Sequence, residues 1–216
     1  LSVAGRLVIA TGNAHKLDEL RALLPGIPLV GLDAFAPMAS PDETAPDYAG
    51  NALIKARAAH AHTGEPSLAD DSGLEVDGLD GAPGVHSARY APGDDAARRR
   101  ALLANLAARG PNAVRTARFV CVIAVAGLPT PSGLPEGLLQ EGGCLVVRGV
   151  CEGRIVAAER GAGGFGYDPL FEVPSLGRTF AELTSAEKHA LSHRGRAATA
   201  LLPALRALFL ENHRRA

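Results

Sequence analysis

The chain has little that would tie it to a membrane, an oxidising compartment or a nucleic-acid backbone. No apolar run reaches the roughly 18 residues that a membrane span needs. Leu1 to Ala10 lacks the length and cleavage pattern of a secretory signal, so a cytoplasmic address is expected. Cysteine is scarce: three residues, Cys121, Cys144 and Cys151, an odd count without CxxC spacing. A disulfide framework and a structural zinc site are therefore not expected, and the three read as small buried apolar residues in strands. Charge of one sign is also missing. Lys and Arg number 22, Asp and Glu 23, for a net charge of −1, so no global basic field exists to hold nucleic acid. Aromatic residues make up only 4%, and the core must come largely from Ala, Val and Leu within the 47% of hydrophobic residues.

What is present fits one α/β domain over residues 1–216. Arg6 to Ala10 reads as a strand ending in a Thr11-Gly12-Asn13 turn. Leu17, Leu20, Leu23 and Leu24 form a helical stripe stopped by Pro25-Gly26. A Pro-rich acidic loop covers Ala36 to Pro46, and Asp47 caps a helix over 48–63 that Gly64 ends. Ser67 to Ala69 reads as one short strand and Leu74 to Asp77 as another, with Asp70-Asp71-Ser72-Gly73 between them as the turn-like alternative to a site. Asp94 caps a helix through Arg109 whose Arg98-Arg99-Arg100 run reads as a solvated face. Ala117 to Ala126 is the best candidate for a buried central strand. Gly127 to Gly143 reads as a loop loaded with Gly and Pro, and Leu145 to Val150 with Arg154 to Ala158 as a hairpin. Thr184 and Glu187 form a capping box, and a last helix over 194–210 carries Pro203. The His213-Arg214-Arg215 cluster reads as a frayed tail.

Four segments carry candidate chemistry. Ala69-Asp70-Asp71-Ser72-Gly73-Leu74 places two carboxylates beside a hydroxyl and a glycine: hard oxygen ligands for Mg²⁺, and a backbone that a phosphate can approach. Thr11-Gly12-Asn13-Ala14-His15-Lys16 lies at a strand-to-helix turn, where backbone N–H groups and an ammonium bind anions. Asn51 and Lys55 share a helix face, with Glu43 in the loop before it. Gly161 to Pro169 packs glycines around Phe165, Gly166, Tyr167 and Asp168, suiting a flat ring to stack and a polar edge to read; a flexible flap is the plainer alternative. Glu187-Lys188 and Ser192-His193-Arg194 add donors, or else a charged surface helix.

Taken together and in this order, these segments, with Gly81-Ala82-Pro83-Gly84, Ser87-Ala88-Arg89-Tyr90 and Glu182-Leu183-Thr184, resemble the inosine triphosphate pyrophosphatase family. The resemblance implies an elongated, two-lobed α/β domain with a long central mixed sheet flanked by helices and a nucleotide cleft between the lobes. It implies a homodimer that uses Mg²⁺ to hydrolyse ITP, dITP and XTP to the monophosphate and pyrophosphate. Asp71 would be the catalytic acidic residue, with Glu43, Asp70 and Asp71 at the metal. Thr11, Gly12, Asn13, Lys16, Lys55 and Ser72 would cradle the triphosphate. Phe165 would stack on the base, with Gly166, Tyr167, Asp168, Lys188, His193 and Arg194 around it. Three positions depart from the family pattern: Ala45 stands where Gly is usual after the Glu-Thr pair, Gly50 where Glu is usual before Asn-Ala, and Tyr48 where Phe is expected. Gly127 to Gly143 is also longer than the family pattern needs and reads as a local insertion.

Overall fold

The computed structural model describes residues 5–129, 135 and 137–209. The His213-Arg214-Arg215 cluster and part of the expected 127–143 insertion lie outside the described residues. Strand β1 (Leu7–Ile9) is wholly buried and leads into α1 (Ala14–Leu23). Strand β2 (Leu29–Gly31) follows, and α2 (Tyr48–Thr63) starts and stops where the sequence signals lie. The Asp47 carboxylate accepts the Gly50 N–H at 2.7 Å, and Gly64 closes the helix at φ 71°. A cap of this kind contributes about 1 kcal/mol.

Strand β3 (Ser67–Val76) is one continuous strand, and this corrects the expectation of two short strands around a turn. Asp70, Asp71, Ser72 and Gly73 are mid-strand residues, so the turn-like alternative fails. Helix α3 (Asp95–Ala108) is capped by Asp94, and β4 (Thr116–Ala126) is the apolar central strand. The segment after it is not all loop, because β5 (Leu138–Glu141) pairs antiparallel with β6 (Cys144–Ile155). The expected hairpin at Cys151-Glu152-Gly153 does not form; β6 runs straight through it. Gly153 is a close-approach residue there, since a Cβ would lie 2.3 Å from the Phe171 ring. The actual hairpin turn is Gly142-Gly143, at φ 53° and 80°. Strands β7 (Phe171–Val173) and β8 (Arg178–Thr179), then α4 (Ser185–Leu191) and α5 (His193–Phe209), follow among the described residues, with Pro203 inside α5. Both halves of the Thr184/Glu187 capping box are present.

The sheet order is β2-β1-β3-β4-β6-β7-β8, with β5 also paired to β6. The β1–β2 and β1–β3 pairs are parallel and the β6–β7 and β7–β8 pairs antiparallel, so the sheet is mixed, as expected.

The chain divides into two compact units. The first comprises Leu1–Asp71, Cys121–Gly149 and Arg194–Ala216; the second Ser72–Val120 and Val150–His193. Each has its own core. In the first, Leu20 of α1, Leu24 just after that helix, and Leu201, Leu205 and Leu208 of α5 pack with Ile9, Leu68, Cys121 and Ile123. In the second, Leu102 and Leu106 of α3 pack with Leu74, Phe119, Phe171 and Phe180. All three cysteines are free and buried in strands, as the sequence implied. Among the described residues no helix is long and apolar enough to cross a membrane.

Candidate active site

Alternation along β3 decides what the acid pair can do. Successive side chains of a strand point to opposite faces. Asp70 and Asp71 accordingly take different partners, from different helices. The Asp70 carboxylate meets Lys16 of α1 at 3.0 Å and receives two N–H groups of Arg194 of α5, at 2.9 and 3.3 Å. A further Arg194 N–H reaches Glu19 of α1 at 2.5 Å. Asp71 instead accepts from Lys55 of α2 at 2.8 Å, and the same ammonium donates to Glu43 at 2.9 Å.

The two carboxyls are pushed apart in acidity. Burial raises Asp70, but Lys16 and Arg194 outweigh it and hold the group well below the usual carboxylate range. Burial also raises Asp71; Lys55 and Lys16 pull it down, Glu43 pushes it up again, and the net shift is upward. Lys55 is raised overall: burial lowers it, and Asp71 and Glu43 more than restore it. Two neighbouring carboxyls with opposite shifts are the pattern of a divided acid-base assignment.

The surrounding residues hold this arrangement in place. The Asn51 side chain, fully buried, accepts the Ala45 N–H at 3.0 Å and so anchors the loop that carries Glu43. Two of the departures from the family pattern meet here, because a Cβ on Gly50 would lie 2.4 Å from the Ala45 methyl. Thr11 accepts the Asn13 N–H at 3.2 Å, and Asn13 caps α1 through the His15 and Lys16 N–H groups. Among the described residues a Cβ on Gly12 would meet no atom within 4 Å, so none of them demands a glycine there.

No group of three or more His, Cys, Asp or Glu converges as a ready metal cage among the described residues. Buried carboxylate oxygens of the pair, Asp70 Oδ1 and Asp71 Oδ2, nevertheless suit a hard cation, and Glu43 lies on the same ammonium as Asp71. The site residues thus fit Mg²⁺ through carboxylate oxygens.

In the second unit the glycine-rich loop is tied down at several points, an arrangement that counts against the flexible-flap alternative. The Phe165 N–H donates to Asp168 at 2.9 Å, and Asp168 also accepts from Lys188 at 2.7 Å. A Cβ on Gly164 would fall 2.0 Å from that carboxylate. The Tyr167 hydroxyl donates to the Ser87 carbonyl at 2.9 Å. Lys188 lies 4.7 Å from the centre of the Phe165 ring, and Phe165 is half-buried. His193 stacks on Phe119 at 4.7 Å, and Phe119 stacks on Phe180 at 5.7 Å. Lys188, Ser192, His193 and Arg194 are all buried, so they are not a charged surface helix. Ser72 is half-buried on β3. The Arg98-Arg99 pair is not a solvated face either: Arg98 binds Asp95, and Arg99 donates to the Gly166 carbonyl.

The structure therefore gathers Thr11, Gly12, Asn13, Lys16, Glu43, Lys55, Asp70, Asp71 and Arg194 in the first unit. Ser72, Phe165, Gly166, Tyr167, Asp168, Lys188 and His193 fall in the second. Sequence reasoning missed Glu19, Phe119, Asp95 and Arg99. Glu19 could have been found as the residue one turn beyond Lys16, and Arg99 as the residue one turn beyond Asp95.

Fold and site define a mixed-sheet α/β protein whose strand β3, next to the central strand, carries a lysine-bracketed acid pair. Comparison makes the class particular. The profile of the Ham1 family matches residues 7–204, and the chain belongs to that family. A dITP/XTP pyrophosphatase of Symbiobacterium thermophilum is 52% identical over 208 residues, covering 95% of this chain and 98% of that protein. One from Gloeobacter violaceus is 48% identical, with 96% and 98% covered. The solved structure of a HAM1 protein from Coxiella burnetii superposes with a TM-score of 0.80 at 40% identity, covering 94% of this chain and 98% of the other.

Proposed function

We propose that this chain hydrolyses non-standard purine nucleoside triphosphates, ITP, dITP and XTP, to the monophosphate and pyrophosphate with Mg²⁺. The observation that carries the reading is the buried acid pair, with Asp71 raised and held by Lys55 beside Glu43. Lys16 and Lys55 supply positive charge for the triphosphate oxygens. The Thr11-to-Asn13 turn offers backbone approach at Gly12. Asp71 and Glu43 would hold Mg²⁺, which when bound neutralises phosphate charge and polarises the phosphoryl oxygens. The Asp71 carboxylate orients the attacking water and takes its proton. A bond forms from water oxygen to the α-phosphorus, and the bond to pyrophosphate breaks. Asp70, ionised against Lys16 and Arg194, keeps that side of β3 charged and fixed. In this reading Arg194 acts as the counter-ion of Asp70, not as a reader of the base.

For the base, Phe165 offers a ring to stack on. Lys188 and His193 offer donors to the C6 carbonyl oxygen of hypoxanthine or xanthine. Adenine carries an amino donor there and leaves those groups unpaired, a mismatch that a hydrogen-bonding site rejects strongly. The family resemblance also supports a homodimer, and the three free buried thiols suit a reducing cytoplasm.

The test is pyrophosphate release from ITP, dITP, XTP, GTP and ATP in the presence of Mg²⁺. Fast release from the first three is the expected result, with ATP slow through the mismatch at C6 and GTP slow because guanine carries a C2 amino group that hypoxanthine and xanthine lack. Orthophosphate release, or equal rates for all five, would overturn the reading.

A further inference from the structure

The glycine loop that presents Phe165 is a poor support by composition. Gly161, Gly164 and Gly166 all have positive φ, at 80°, 72° and 61°. Such residues lose much conformational freedom when ordered, so a ring carried among them needs external anchors. Helix α3 supplies two, both on one residue next to Phe165. The Gly166 N–H donates to Asp95 Oδ2 at 2.7 Å, and the Gly166 carbonyl accepts from Arg99 at 2.9 Å. Asp95 and Arg99 are one helical turn apart, so they present to the same residue from one face.

The anchors are themselves held. Arg98 hydrogen-bonds the other Asp95 oxygen, and Arg99 pairs with Glu159 at 3.0 Å, just before the loop begins. Burial pushes the Asp95 carboxyl up, but Arg98 and the Gly166 N–H outweigh it and keep the group below its ordinary range. Arg99 is largely buried, at 15% side-chain exposure. Helix α3 thus grips both the root of the loop and the residue beside its aromatic ring.

We infer that Asp95 and Arg99 are positioning residues for purine binding: they clamp Gly166 by its N–H and its carbonyl and so fix the Phe165 ring as the platform for the base. This rests on the reading of Phe165 as that platform. Both side chains act through Gly166, so the effect should fall on binding and leave the chemical step nearly intact.

The experiment measures KM and kcat for ITP, and the melting temperature, in the wild type, Asp95→Ala, Phe165→Ala and the double variant. Asp95→Ala should raise KM about tenfold with kcat within about threefold, the scale of losing an anchoring hydrogen bond to a charged group. In the Phe165→Ala background the same change should add less than about twofold, because the two residues act through one element. Asp95→Asn keeps an acceptor oxygen and should recover most of the wild-type KM. Arg99→Met should raise KM in the same direction. A lower melting temperature with unchanged KM would make Asp95 merely structural and overturn the inference, as would full additivity in the double variant. If Phe165→Ala itself leaves KM at the wild-type value, the platform reading fails, and the inference falls with it for that separate reason.

Discussion

The two units build their functional residues in opposite ways. In the first, Asp70 and Asp71 sit on a long, buried strand, and their positions follow from its pleat. Charge is the organising quantity there: Lys16 and Arg194 answer one carboxylate, Lys55 the other. In the second, Phe165 and Asp168 sit on a glycine-rich loop, and their positions follow from hydrogen bonds to the loop backbone. A strand fixes a side chain without help but dictates which face it takes. A loop lets a ring and a carboxylate be placed freely but must be held from outside. Groups that must keep a charge state benefit from the first arrangement, and groups that must fit a flat ligand benefit from the second.

The largest expected effect tests the division within the strand. Asp71→Asn should lower kcat for ITP by about 10²- to 10⁴-fold, the usual contribution of a positioned general base. Its folding stability should stay near that of the wild type. Asp70→Asn should act the other way round, losing stability first, because it leaves Arg194 buried against Glu19 alone among its described carboxylate partners. Equal stability losses in the two variants would erase the asymmetry. Next in size, Arg194→Met should destabilise the fold by about 3–5 kcal/mol, since it strips a buried carboxylate of a cation. Denaturant unfolding checks this, and a loss under about 1 kcal/mol would show that Lys16 alone suffices for Asp70.

Much of this fold is written in local signals. Asp47 and Gly64 bound α2, Asp94 opens α3, and Thr184 with Glu187 opens α4, because caps are short-range chemistry. The errors came where a local signal has two meanings. Gly153 reads as a turn residue but is a glycine that makes room for the Phe171 ring. Asp70-Asp71-Ser72-Gly73 reads as a break in a strand, yet Lys16, Arg194 and Lys55 compensate the buried charges and the strand continues. Strands β2 and β8 are only 3 and 2 residues long, and pairing to neighbours defines them more than composition does. The candidate residues were visible as types. Their partners were not: that Arg194 meets Asp70, or that Arg99 holds Gly166, depends on contacts 124 and 67 positions apart in the chain.

The smallest effect is the most direct test of the central claim, that the environment splits the two neighbouring carboxyls. Carboxyl ¹³C NMR should follow the aspartate titrations of the wild type, Asp70→Asn and Asp71→Asn, with no added Mg²⁺. The account predicts one carboxyl titrating above the ordinary aspartate value of about 3.9 that disappears in Asp71→Asn, and one titrating well below it that disappears in Asp70→Asn. The account is contradicted if Asp71 titrates at or below the ordinary value, or if Asp70 is the group that titrates high.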